Sequence, residues 1–151
     1  MTACTLGPLL QNKLWNVLVP RSRIHPVVLV GDLKKAFLLV PIRTAYRDAP
    51  RFHWRPGEHS HIETLRFTRA LFELAPSPLL LGGAIEHHLD NWVEGEPHAK
   101  AEIRKSLYVD DLLSSGMAEE ETKLLKEKAI EIFEDATFTL QKWKSTEHKV
   151  A

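Results

Sequence analysis

Two adjacent carboxylates, Asp110 and Asp111, stand in the stretch KSLYVDDLLSSG between Leu107, Tyr108 and Val109 on one side and Leu112 and Leu113 on the other. A hairpin can turn on Asp-Asp with no further consequence. Carboxylates held stiffly at a strand end can also share a divalent cation, because hard cations take oxygen ligands. A third acid, Asp32, closes the apolar run PVVLVGDL. Two-cation phosphoryl transfer needs acids from separate strands around ions about 3.5–4 Å apart. Asp32 and Asp110 meet that demand if their strands are neighbours. An unrelated α+β binding module with a chance Asp-Asp turn would leave them far apart. Other groupings are poorer. His59 and His61 with His87 and His88 have no cysteine pair beside them, so they read as surface residues rather than a zinc site. Ser60 and Ser77 lack the surroundings of a nucleophile elbow. Gly82-Gly83 lies in a helical pattern, not in a phosphate-binding loop.

The elements that must hold these acids are legible as patterns. Residues 8–19 carry Leu9, Leu10, Leu14, Trp15 and Leu18 at helical spacing, and Pro20 is expected to end that helix. The β-branched run 26–33 is a buried strand ending at Gly31-Asp32. KKAFLLVPI is expected to continue extended to Pro41-Ile42. RTAYRD reads as a polar turn or short helix. APRFHW and IETLRFTR form a hairpin around Arg55-Pro56-Gly57. A helix follows in APSPLLLGGAIEHHLDNWV, with Ser77 as its N-cap and Pro78 at its first position. VEGEPH is a loop before the strand that holds Tyr108. Leu124, Leu125, Ala129, Ile132 and Phe133 mark an amphipathic helix over 119–135. TFTLQKW is the last strand. The order β-β-β-α-β-β-α-β implies α+β, with helices on one face of a largely antiparallel sheet.

Bulk properties narrow the setting. The 151 residues suit one domain, and 44% apolar with 26% charged residues is the composition of a globular chain. No apolar run reaches the ~18–20 residues that span a bilayer, and the start does not read as a secretory signal. A single cysteine, Cys4, excludes an internal disulfide framework and fits a reducing, intracellular compartment. Net charge is zero, yet residues 1–70 carry 11 Lys and Arg against 4 Asp and Glu, and residues 71–151 carry 9 against 16. A basic half suits polyanions and an acidic half suits cations, although opposite charges also simply solvate different faces.

Four stretches in order, LVGDLKKAFLLVPI, RFTRALFELAPSPLLL, SLYVDDLLSSG and FTLQKWKST, resemble the successive palm motifs of a reverse transcriptase. They are most similar to the polymerase of BEL/Pao-type long-terminal-repeat retrotransposons, over nearly the whole chain. The resemblance implies one partial palm domain over 1–151, with about 1–25 a remnant of the lead-in from the fingers side. It implies an antiparallel palm sheet, a fingers segment mostly missing and no thumb. Asp32 and Asp110 would bind two Mg²⁺ ions (Mn²⁺ can substitute), assisted by Asp111 and the Leu33 backbone carbonyl. The cations would lower the pKa of a primer 3′-hydroxyl and stabilise the leaving pyrophosphate. Phe37 falls where the family keeps an aromatic under the sugar as a gate against ribonucleotides; a core aromatic would look the same. Phe72 and Ser77-Pro78 fall in the segment facing nucleotide and template. Lys142 lies near a lysine held to protonate the pyrophosphate; as a residue it is equally a solvated lysine at a strand edge.

The partners so implied are an RNA or DNA template-primer, deoxynucleotides and the rest of a retroelement polyprotein, in the cytoplasm or a virus-like particle, with no membrane. Glu73 stands where the family has glycine, placing bulk and negative charge beside a polyphosphate. Arg21 and Arg23 are uncertain substitutes for the basic residues of the missing fingers. The alternative to an RNA-directed DNA polymerase fragment is an inactive palm remnant, or a domesticated protein, that at most binds nucleic acid. The isolated chain is expected to be inactive.

Overall fold

A computed structural model describes residues 10–23, 25–72, 74–93, 97–147 and 150. Cys4, Glu73, the first nine residues of the expected lead-in and the side chains of Arg21 and Arg23 lie outside the described set.

Alternation builds the sheet. In β1 (Val27–Leu33) Val27, Leu29, Gly31 and Leu33 are buried, while Val28, Val30 and Asp32 are half-buried. In β5 (Asp111–Gly116) Leu112, Ser114 and Gly116 are buried and the residues between them half-buried. With β4 (Leu107–Tyr108) and β6 (Leu140–Ser145) they form one antiparallel sheet in the order β4-β5-β1-β6. The strand that carries Asp32 is therefore flanked by β5 and β6 rather than by its neighbours in sequence.

Two long helices cover the core. α3 (Ser77–Asn91) buries Ser77, Leu81, Ile85 and Leu89, one residue per turn. α5 (Glu119–Asp135) buries Thr122, Ala129, Ile132 and Phe133 and packs on β1, β5 and β6. Glu119, Glu120 and Glu121 sit in its first turn, where the helix dipole favours negative charge. These faces meet Leu33, Phe37, Ile103, Leu112 and Leu140 in one apolar cluster. The α+β class with an antiparallel sheet is as the sequence implies.

Several local expectations fail. Pro20 does not end the first helix: α1 spans Leu14–Arg23 with Pro20 inside it. The ring forfeits one backbone hydrogen bond, while Val17 is buried and α1 packs on β5 and β4, so tertiary contact outweighs propensity. KKAFLLVPI does not stay extended. Lys35 adopts φ 52°, and the chain turns into a short helix α2 (Ala36–Leu39) that buries Ala36 and Phe37. Ser77 is not the N-cap of α3; Pro76 holds that position, and the Ser77 hydroxyl is buried without a hydrogen-bond partner among the described residues. A whole helix, α4 (Pro97–Ser106), stands where only a loop and a strand were expected. Its apolar signal is thin, with Ala99 and Ile103 among charged residues, but those two plus Ser106 make a buried stripe.

The hairpin β2 (Arg51–Trp54) and β3 (Glu63–Arg66) forms as expected, yet outside the main sheet. Both of its faces are largely exposed. β6 starts and ends two to three residues later than the TFTLQKW stretch, because Thr137 takes φ 63° to close α5 before the strand begins.

Candidate functional site

The β1–β5 ladder makes Asp32 and Asp111 direct cross-strand partners. Asp110 lies in the β4–β5 turn, and its carbonyl accepts the Leu33 amide N–H at 2.8 Å. Asp32 and the adjacent pair Asp110-Asp111, far from it in sequence, thus share one end of the sheet. The turn that presents Asp110 is strained. Val109 has φ 56°, a left-handed conformation that a β-branched side chain disfavours and that two-residue hairpin turns usually give to glycine. Such strain persists where surrounding contacts over-determine it; here Val109 packs against the main apolar cluster.

The three carboxylates differ in surroundings. Burial holds Asp110 and Asp111 above the ordinary carboxylate range, and repulsion from neighbouring carboxylates adds to it. Asp32 goes the other way. The Gln141 Nε2 donates to Asp32 Oδ2 at 2.8 Å, and the Lys142 ammonium lies 3.1 Å from the same oxygen. Those contacts, the Gln141 bond first, lower the Asp32 pKa. Among the described residues, no three His, Cys, Asp or Glu side chains stand grouped to hold a metal ion. The acids are neighbours, and Asp32 is turned to an amide and an ammonium.

Lys142 and Gln141 reach one oxygen because β6 is irregular. Asp32 pairs with Gln141 and Val30 with Lys144, so Lys142 and Trp143 together oppose Gly31 in a bulge. The other side of that bulge is packed tightly. A Cβ on Gly31 would come within 2.7 Å of Trp143 Cζ3 and 2.9 Å of Cε3. Gly31→Ala is therefore expected to destabilise the chain by roughly 1–3 kcal/mol, the range for overfilled cores. A urea midpoint unchanged from wild type would show that the ring moves aside freely.

The remaining expected residues form a second group. Phe37 is buried at the start of α2, and Phe72 is 70% exposed; their rings meet edge to face with centroids 5.7 Å apart. Ser77 and Pro78 begin α3, which packs against α2. Lys142 stands with the acids, not with this group. The Leu33 amide is bound to the Asp110 carbonyl, which fixes the β1 end against the acid turn. Gln141 went unnoticed in the sequence. The available signal was its place two residues before Trp143 and beside Lys142 on an expected strand, which register alone turns into a contact with Asp32.

Comparison with known proteins adds the fold. No family model and no curated protein matches the chain. Among solved structures, the chain is similar to the foamy viral protease-reverse transcriptase determined in complex with dsDNA, with a TM-score of 0.57 and 23% identity. The match covers 78% of this chain and 22% of that one. The chain therefore has the fold of part of a reverse-transcriptase structure and spans about a fifth of its length.

Proposed function

We propose that this chain is the palm segment of a reverse-transcriptase-type polymerase, a domain that joins deoxynucleotides to a primer 3′-hydroxyl on an RNA template. The observation that carries this reading is the pairing of Asp32 with Asp111 beside Asp110 at one end of β1 and β5. The fold shared with part of the foamy viral enzyme and the four ordered motifs support it. The wording of those motifs favours a BEL/Pao-type retrotransposon as the source, with residues 1–151 a single partial palm and about 1–25 its lead-in.

The donor set fits a divalent cation in kind. It offers hard oxygens only, and burial with mutual repulsion leaves Asp110 and Asp111 in want of positive charge. Asp32, Asp110 and Asp111, with the Leu33 carbonyl, would hold Mg²⁺ or Mn²⁺. Bound there, such ions supply acidification of a hydroxyl and neutralisation of phosphate charge. Phe37 would stand beneath the sugar, its buried ring met edge to face by the exposed Phe72; Ser77 and Pro78 begin the helix that packs against its element. Lys142 brings a cation to the acid cluster within reach of a leaving phosphate. The partners in this reading are template-primer, deoxynucleotides and the remainder of a retroelement polyprotein, in the cytoplasm or a particle. No helix among the described residues is long and apolar enough to cross a membrane.

A second reading is a palm-fold remnant that binds nucleic acid without chemistry. It is favoured by the engagement of Asp32 with Lys142 and Gln141 in place of a three-acid group. Primer extension separates the two. The chain, joined to the fingers and thumb segments of a reverse transcriptase, is incubated with labelled primer on RNA and on DNA templates, with Mg²⁺ or Mn²⁺, alongside Asp110→Asn. Extension that Asp110→Asn loses supports nucleotidyl transfer. Salt-sensitive nucleic-acid binding with no extension by either protein supports the remnant.

A further inference from the structure

In a regular strand, consecutive side chains point to opposite faces, so Gln141 and Lys142 should not meet at one atom. They do meet, both with nitrogens on Asp32 Oδ2, at 2.8 Å and 3.1 Å. The backbone at Lys142 explains it. Its φ is 53°, the left-handed region that lysine rarely visits, and it sits in the bulge where two residues of β6 oppose Gly31. The left-handed residue re-aims one side chain, which is what bulges beside functional sites do.

The bulge is pinned from the far side. Trp143 lies flat on Gly31, so closely that no Cβ fits there. The Lys126 ammonium sits 5.1 Å from the Trp143 ring centroid and also donates to the Val150 carbonyl at 3.0 Å. Gly31, Trp143 and Lys126 thus hold the backbone in a conformation whose one visible outcome is an ammonium on Asp32. Residues in sparsely populated backbone regions persist only where their surroundings over-determine them.

We propose that Lys142 is a built-in counter-cation of Asp32, delivered by the β6 bulge, which a divalent cation must displace before Asp32 can act with Asp110 and Asp111. The inference rests on the reading of these acids as a cation site. It assigns Lys142 a role in the resting protein, distinct from any proton transfer to a leaving group. Lys142 and Gln141 occupy Asp32 Oδ2, and the ammonium offsets part of the carboxylate charge at this end of the sheet. The Lys142 side chain is already 70% exposed while it pairs with Asp32, so on displacement it would be free to swing toward phosphate.

The test is Mn²⁺ binding followed by electron paramagnetic resonance at neutral pH, on the whole chain. Lys142→Met removes the charge and keeps the stem. Lys142→Gly removes the charge and relieves the left-handed backbone, so it is expected to be the more stable of the two. Both are expected to bind Mn²⁺ about tenfold more tightly than wild type, the scale on which one nearby charge opposes a divalent ion. A purely structural lysine would lower the melting temperature of Lys142→Met and leave Mn²⁺ affinity where it was. Unchanged or weaker binding in a folded variant, with binding still lost in Asp32→Asn, overturns the counter-cation and leaves the cation site standing. Equal binding by wild type, Lys142→Met and Asp32→Asn, or none by any, overturns both.

Discussion

Asparagine at position 110 is expected to weaken Mn²⁺ binding by about 100-fold or more, beyond what loss of an outer-shell partner costs, and at the same time to stabilise the metal-free chain. The two effects share one cause. Asp110 is raised above the ordinary carboxylate range by burial and by the charge of Asp32, so its ionised form is unwelcome in the empty fold. A raised carboxylate gives its full relative stability below the unfolded-state value and loses it as pH climbs through the folded-state value. Asp111 follows the same sign. Asp32 has the opposite one: held low by Gln141 and then Lys142, it adds stability above the ordinary value and loses it as pH falls through its lowered value.

Wild type should therefore be less stable at neutral pH than at about pH 4 through the raised Asp110–Asp111 pair, and Asp110→Asn should lose less. Because these acids are part-exposed, the gain at neutral pH is only a few tenths of a kcal/mol. Urea midpoints at both pH values, with and without Mn²⁺, measure it. Saturating Mn²⁺ should reverse the order and leave wild type the more stable. A variant that binds Mn²⁺ like wild type would remove Asp110 from the cation site.

Phe133→Ala should cost about 3–5 kcal/mol, the usual penalty for emptying a buried aromatic position. Phe133 is 1% exposed on α5 and meets the Phe138 ring edge to face at 6.3 Å between centroids. Phe138 in turn precedes β6, the strand that carries Gln141 and Lys142. Since a domain of this size has about 5–15 kcal/mol in total, the variant should be largely unfolded in mild denaturant. Loss of far-UV circular dichroism at low urea is the readout. A shift below about 1 kcal/mol would mean that α5 does not anchor the sheet and that β6 is held by other contacts.

These predictions draw unequally on sequence and on structure. The pattern of α5 was largely legible in the sequence: Ala129, Ile132 and Phe133 fall on one face, three glutamates open the helix, and its bounds are Glu119 and Asp135 as expected, while Leu124 is exposed and Thr122 is buried. The strand that carries Asp32 was legible because alternation is a local signal, although it runs on to Leu33. The hairpin turns on Val109-Asp110 rather than on Asp110-Asp111, and Asp111 already opens β5. Helix α4 was not, since Ala99 and Ile103 alone give too narrow an apolar stripe to outweigh its charged residues. Pro20 misled for a similar reason. One forfeited hydrogen bond is a local cost, and contact of α1 with β5 and β4 is a non-local gain.

What the sequence by itself determined is the alternation of β1 and most of the buried stripes of α3 and α5, because side-chain period acts within a few residues. Leu14, Trp15, Leu80 and Leu124, by contrast, fit the pattern and are exposed. Only the tertiary structure decided that β1 lies between β5 and β6, that Asp32 stands opposite Asp111, and that β2–β3 forms its own sheet. It alone placed a left-handed lysine in a bulge over Gly31. Strand order and register are fixed by hydrogen bonds and burial between segments a hundred residues apart. A one-residue bulge there moves a cation onto an acid and leaves no trace in local periodicity.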